Sequence, residues 1–407
     1  MNAAALRAAA ATRYPAFLAR LSELVEIDSG SRQVDGLRKV AARLAGYAAE
    51  AGAQVRTTAI SDEDGCALGD AVIARISGSG TRRILLAAHL DTVFPPGTAQ
   101  ARPLTVDGAA GRAYGPGVCD DKGGLLAGLA AVEVLTSLGA GRFGELVLVA
   151  TPDEEIGSVG SRPLLAELAA TADAILCLEC ARDNGDLVSA RKGVADVEID
   201  LHGRAAHAGI EPERGANAAL AAARLTVALQ SIDGVNVGVL QAGTRPNVVA
   251  DRARLVVDVR AAEPAAYEAA LADITRLAGT PLVDGVSATI RVVAPTPPWS
   301  GGEGTGWLLR AAEQVGAELG LTVTHAATGG CADANLLAAS GVPVLDGLGP
   351  VGGGDHGPDE WLDLQSVVPR VALLAGLIDR ISQPALIDAE NDATRRTAYV
   401  PSHPPTQ

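Results

Sequence analysis

Residues 84–91 read Ile-Leu-Leu-Ala-Ala-His-Leu-Asp. An unbroken apolar run predicts a strand buried on both faces, because a sheet with one solvated face alternates apolar and polar side chains. The run from Ile84 to Ala88 stops at His89, and Asp91 follows two residues on. Two more runs have this character: Leu146 to Ala150, followed by Glu154-Glu155, and Ile175 to Leu178, followed by Glu179. Helical patterns lie between them, Leu125 to Leu138 after Gly123-Gly124 and Arg162 to Ala170. Such alternation predicts α/β units around a mainly parallel sheet.

Around Arg191 the pattern changes. Val194 to Leu201 alternates apolar and polar residues, the mark of a strand with one wet face. A helix from Asn217 to Leu229, strands at Val235 to Leu240 and Arg252 to Arg260, a helix through Tyr267 to Leu277 and a strand at Ala288 to Val293 complete a β-α-β-β-α-β order. That order resembles the ferredoxin-like motif. The α/β character then resumes with a helix at Gly306 to Leu319, a strand at Val342 to Leu345, a glycine-rich loop at Gly347 to Gly354 and a helix at Val367 to Ile381. The expected organisation is an α/β domain (1–191 and 299–382) interrupted by a small α+β domain (192–298), with a flexible tail at 383–407.

The 407 residues exceed one typical domain, and 48% are hydrophobic, enough for a large core. A balance of 33 basic against 48 acidic residues gives −15 and argues against nucleic acid or an anionic membrane as partner. The N-terminal helix pattern is interrupted by Arg7, Arg13 and Arg20, unlike a signal peptide. No apolar run reaches the ~20 residues of a membrane span. Five cysteines, an odd number, fit a reducing compartment, so a cytoplasmic location is expected. Cys177 and Cys180 read as packing thiols, since no second pair completes a structural zinc site; Cys119, beside Asp120, is placed where metal proximity favours oxidation.

In open parallel sheets, ligands bind beyond the carboxyl ends of the strands. His89, Glu154, Glu155, Glu179 and His356 all fall past such ends or in the loop that follows, and Asp120 opens a glycine-rich turn into a helix. Two imidazoles and several carboxylates gathered this way predict a binuclear metal site. In extended chain, residues i and i+2 face the same way, so Asp91 lies beside His89 and fixes its tautomer.

Three stretches carry a family resemblance: Ala88-His89-Leu90-Asp91-Thr92-Val93, Gly115-Pro116-Gly117-Val118-Cys119-Asp120-Asp121-Lys122-Gly123-Gly124 and Thr151-Pro152-Asp153-Glu154-Glu155-Ile156-Gly157-Ser158. With His356 following in order, the chain resembles the M20 family of metallopeptidases, most closely its glutamate carboxypeptidase branch. The resemblance implies a zinc-exopeptidase-like catalytic domain and an inserted lid that also forms a homodimer. It implies two Zn²⁺ per subunit, with Co²⁺ or Mn²⁺ tolerated: His89, Asp120 and Glu179 on one ion, Asp120, Glu155 and His356 on the other, Asp120 bridging. It assigns Glu154 as general base and Asp91 as the partner of His89. His207, from the lid, would stabilise the oxyanion in the partner's active site, while Asn247, Arg260 and Gly330 face the substrate. The implied reaction is hydrolysis of the amide of a C-terminal or N-acyl amino acid, on a small peptide or N-acyl amino acid substrate.

One position departs from that pattern. Thr296 stands where the branch carries an arginine for the substrate carboxylate, and threonine offers no bidentate pairing, although Arg291 lies nearby. Two other readings therefore stand beside the first: a deacylase of the acetylornithine or succinyl-diaminopimelate type, and a non-catalytic binding protein of the same fold. An intact Glu154 speaks against the binder, which has no need of a base.

Overall fold

The computed structural model describes residues 1–383, and the expected tail lies outside them apart from its first residue. The chain divides into two compact units. Among the described residues the first comprises 1–189, 301–326 and 337–383; the second comprises 190–300 and 327–336.

In the first unit a six-stranded sheet runs Gln54–Ser61, Ala67–Ser77, Glu145–Thr151, Arg83–His89, Ala174–Cys177, Val344–Leu345 in spatial order. The last four of these strands pair in parallel, and the first two add antiparallel ladders at one edge. Alternate residues of Arg83–His89 and Glu145–Thr151 point to opposite faces, yet nearly all are buried, as two-sided covering requires. Helices Ala3–Val25, Lys122–Ser137 and Leu364–Ile381 supply much of the same core through Leu21, Leu24, Leu125, Leu374 and their neighbours. The helix Lys122–Ser137 is buried on all sides as far as Leu135, which explains why its sequence is apolar almost throughout.

The parallel register places the functional ends level. His89 pairs with Thr151, and Ala87 pairs with Cys177, so two residues further along those strands come His89 and Glu179. A second, smaller antiparallel sheet joins Gly352–Gly353, Trp361–Asp363, Arg112–Tyr114 and Thr105–Asp107. These strands of two or three residues carry too little periodicity to be read from sequence, yet they set the spans that hold Asp120 and His356.

The second unit is a four-stranded antiparallel sheet, in order Val235–Ala242, Arg252–Ala261, Gly193–His202, Ser287–Thr296, covered by helices Ala218–Leu229 and Pro264–Gly279. That is the ferredoxin-like arrangement. Its inward residues Val197, Ile199, Leu255, Val257, Leu225 and Ile274 form a separate core. The unit also includes 327–336, a stretch expected to fall in the 299–382 segment. The physical reason is polar: Asn335 Nδ2 donates to Lys192 O (3.1 Å) and Pro297 O (2.9 Å).

Candidate active site

The strand Arg83–His89 delivers the His89 imidazole, almost wholly buried, to the carboxyl edge of the sheet. Its Nδ1 stands 3.1 Å from Asp91 O and 3.3 Å from Asp91 Oδ1, and its Nε2 stands 2.9 Å from Asp120 Oδ1. Glu179 Oε1 lies 3.7 Å from the same Nε2. Asp91 does more than orient the ring. Its carboxylate accepts from Ser31 Oγ (2.8 Å), Glu154 N (3.1 Å) and Glu155 N (3.1 Å), and so ties the glutamate turn to the histidine strand.

That turn, a single 3₁₀ turn at Glu154–Ile156, follows strand Glu145–Thr151. It brings Glu155 Oε2 within 3.2 Å of His356 Nε2, which is also 3.2 Å from Asp120 Oδ2. Asp120 therefore meets one imidazole with each oxygen. His356 has φ 63°, left-handed backbone that histidine adopts more readily than most residues. Donor atoms of His89, Asp120 and Glu155 all lie within 4.8 Å of one another, as do those of His89, Glu154 and Glu179.

Close approach of the helix that follows Asp120 depends on glycine. A Cβ on Gly124 would sit 1.9 Å from Leu178 O, so any side chain there would push the helix start away from the strand that leads to Glu179. The Asp120–Asp121 peptide is cis.

The electrostatics show a centre that calls for positive charge. Burial alone would lower the His89 pKa, but Asp120, Asp91 and Glu179 drive it well above its ordinary value. Asp120 and Glu155 hold His356 up at about 10. Burial opposes ionisation of Asp120, yet both imidazoles hold its carboxyl below the usual range. Burial raises Glu155, whose Oε1 is buried without a hydrogen-bond partner. Two imidazoles, four carboxylates and one orphaned carboxylate oxygen suit a pair of divalent cations with mixed nitrogen and oxygen ligands.

Sequence reasoning missed Glu360. Almost wholly buried, its carboxylate accepts from Gly117 N (2.8 Å), Cys119 N (2.9 Å) and Asp120 N (3.1 Å), gripping the turn that presents Asp120. Burial pushes it up to about 7 against the pull of those three amides. No side-chain pattern signals such a role, since its partners are backbone groups. Asp121, also buried, accepts from His89 N at 3.4 Å.

His207, Asn247, Arg260 and Gly330 lie in the second unit. His207 bridges to Val248, and Ala208 N donates to Asn247 O (3.1 Å), so His207 and Asn247 sit on adjoining segments. Arg260 pairs with Asp258 (3.0 Å) and donates to Gly329 O (3.1 Å), while Arg191 donates to Gly330 O (3.3 Å). Two guanidinium groups thus hold the Gly329-Gly330 loop. Thr296 is buried, with Oγ1 donating to Ala294 O (3.3 Å); Arg291 is engaged with Glu198 (3.1 Å).

A fold and site of this kind define a metallopeptidase, and the chain belongs to the M20 family: the profile described as Peptidase family M20/M25/M40 matches residues 85–380. It is 32% identical to carboxypeptidase G2 of Pseudomonas sp. (strain RS-16) over 379 residues, covering 91% of this chain and 90% of that protein. Acetylornithine deacetylase of Myxococcus xanthus is 32% identical over 267 residues, covering 60% and 67%. Among solved structures, a tripeptidase from Staphylococcus aureus superposes with TM-score 0.75 at 22% identity, covering 91% of this chain and 98% of that one. The M20 family metallo-carboxypeptidase Sso-CP2 from Sulfolobus solfataricus gives 0.70 at 17%, covering 90% and 99%. These two likenesses speak for the fold. The chain is an M20-type hydrolase. None of its helices among the described residues is long and apolar enough to cross a membrane.

Proposed function

We propose that this chain is a two-metal amidohydrolase that cleaves the amide of a C-terminal or N-acyl amino acid. The observation that carries the reading is Asp120, one oxygen toward His89 and the other toward His356, with Glu155 and Glu179 beside those rings. His89, Asp120 and Glu179 would hold one ion and Asp120, Glu155 and His356 the other, with zinc the best match to this donor set. Such ions, when bound, acidify a coordinated water toward pKa ~7 and polarise the scissile carbonyl.

The chain's own groups do the rest. Glu154, free of a ligand role in this scheme and carried on the turn tied to Asp91, takes the proton from the attacking water and passes it to the leaving amine. Asp91 holds the Nδ1 side of His89, so Nε2 faces the cluster. His207 stabilises the tetrahedral oxyanion of a substrate held by the partner subunit, and Asn247, Arg260 and Gly330 contact substrate. A homodimer is part of this reading.

A deacylase reading is favoured by one feature: Thr296, buried and donating to Ala294 O, offers no guanidinium to a substrate carboxylate, and Arg291 is engaged with Glu198. Dialysis against a chelator, then zinc or cobalt add-back, tests the metal requirement; a panel of folate-like glutamates, dipeptides and N-acyl amino acids tests the substrate. Metal-dependent turnover of C-terminal glutamates is expected. Hydrolysis that persists after verified metal removal would overturn the mechanism, and far faster turnover of N-acetylornithine would assign the deacylase.

A further inference from the structure

Behind the two-imidazole cluster lies a second group of donors with different chemistry. Cys119 Sγ, Cys180 Sγ and a carboxylate oxygen of Asp355 all fall within 4.8 Å of one another. Cys180 Sγ is 3.9 Å from Asp355 Oδ1, and neither cysteine is in a disulfide. Both sulfurs are buried, while Asp355 is only half-buried and gives the group an opening toward solvent. The strand at Gly352–Gly353 is shaped to leave the sulfur room, since a Cβ on Gly352 would stand 2.3 Å from Cys119 Sγ.

We propose that Cys119, Cys180 and Asp355 form a binding site for a single thiophilic divalent cation, separate from the two-ion centre. Two thiolates and a carboxylate favour Cd²⁺ or Zn²⁺ over the hard cations, whereas the neighbouring set of imidazoles and carboxylates has no sulfur. Cys180 Sγ donates to Asp355 Oδ1 at 3.9 Å, and the cation reading rests on the convergence of all three donors rather than on that contact alone. Metal–sulfur bonds of about 2.3 Å place tetrahedral donors about 3.8 Å apart, so donors now within 4.8 Å of one another close by about 1 Å or less. On binding, each thiol gives its proton to solvent as the sulfur–metal bond forms, so uptake releases protons.

The placement gives the site a consequence. Each donor is the chain neighbour of a residue proposed for the catalytic ions: Cys119 of Asp120, Cys180 of Glu179 and Asp355 of His356. An ion that draws the three donors together draws on three of the segments that shape the catalytic cluster.

The test uses the full-length protein carrying Cys66→Ser and Cys331→Ser, stripped by chelator and kept reduced with a phosphine. Titration with Cd²⁺ is followed by the ultraviolet sulfur-to-cadmium charge-transfer band. With the neighbouring carboxylate–imidazole centre also free to take Cd²⁺, the band is expected to saturate within three equivalents at the amplitude of one two-thiolate site per chain, and to be lost in Cys119→Ser and in Cys180→Ser. Asp355→Asn, a half-exposed position that spares the core, is expected to keep the band and weaken affinity by about tenfold or more. No band with both thiols verified as reduced, or a band that survives either serine variant in folded protein, would overturn the proposal. The readout is independent of turnover: were hydrolysis to prove metal-independent, the proposed function would fall while the band stood.

Discussion

Replacing Glu360 by glutamine keeps the size of the side chain and changes one acceptor oxygen into a donor. In the native arrangement Oε1 accepts from Cys119 N and Asp120 N, and Oε2 accepts from Gly117 N. The glutamine carbonyl can retain the first two amides, but its NH₂ then confronts the N–H of Gly117 in a place where Glu360 is only 1% exposed. A buried donor left without an acceptor costs about 1–3 kcal/mol. If that cost is relieved by the turn leaving its seat, Asp120 loses its pre-set position between His89 and His356. At 1.4 kcal/mol per factor of ten, ion affinity falls about 5- to 150-fold. The assay is equilibrium dialysis of wild type and Glu360→Gln against a graded chelator series with metal analysis, beside thermal melts of the chelated proteins. Both proteins should be folded when stripped, and the variant should surrender its ions at a markedly lower chelator level. A folded variant that holds metal as tightly as wild type would refute the reasoning.

Other expectations follow from the same geometry. Glu154→Ala should retain its metal and lose about 10²–10⁴-fold in kcat, and unchanged turnover would remove Glu154 as the base. Asp91→Asn disturbs both the Nδ1 side of His89 and the tether to the Glu154–Glu155 turn, so ion affinity or activity should fall about 10–100-fold; wild-type metal retention and turnover in the variant would contradict that role. Lys122 is buried with Nζ donating to Ile27 O (3.1 Å), and burial lowers it from 10.5 to about 8. Its folded pKa lies below the unfolded value, so the unfolded chain binds more protons between those two pH values. The stability of chelated protein should therefore gain roughly 3 kcal/mol at most from this group as pH rises through that window. Denaturant titrations at both ends should show the Lys122→Met variant lacking that gain, and identical pH slopes in the two proteins would count against it.

The sequence carried the parts of the structure that burial writes as pattern. Ile84 to Ala88 and Leu146 to Ala150 are strands covered on both faces, and a parallel register then places His89 and Glu179 level without further information. The alternation at Val194 to Leu201 likewise marked the wet-faced sheet of the second unit. What escaped was held by backbone groups or by distant chain. Glu360 grips three main-chain amides and leaves no periodic trace. Cys119 and Cys180 read separately as a metal-proximal thiol and a packing thiol, because nothing local to either shows that they converge. The stretch 327–336 looked like catalytic-domain chain because the bonds that attach it elsewhere, from Asn335, Arg260 and Arg191, involve main-chain oxygens.

That stretch means the second unit is not a module that can be lifted out whole. The chain passes between the units at four places, after residues 189, 300, 326 and 336, whereas a simple insertion needs two. A fragment cut at 190–300 would leave Lys192 O and Pro297 O without the Asn335 amide, and Arg191 and Arg260 without the loop carbonyls they hold. Swapping this unit between relatives to ask whether it governs substrate preference therefore requires two grafts made together, the long segment and the ten-residue strap 327–336. Chimaeras built on the long segment alone join a host strap to foreign partners, and their altered selectivity would report a mismatched loop as much as a transferred one.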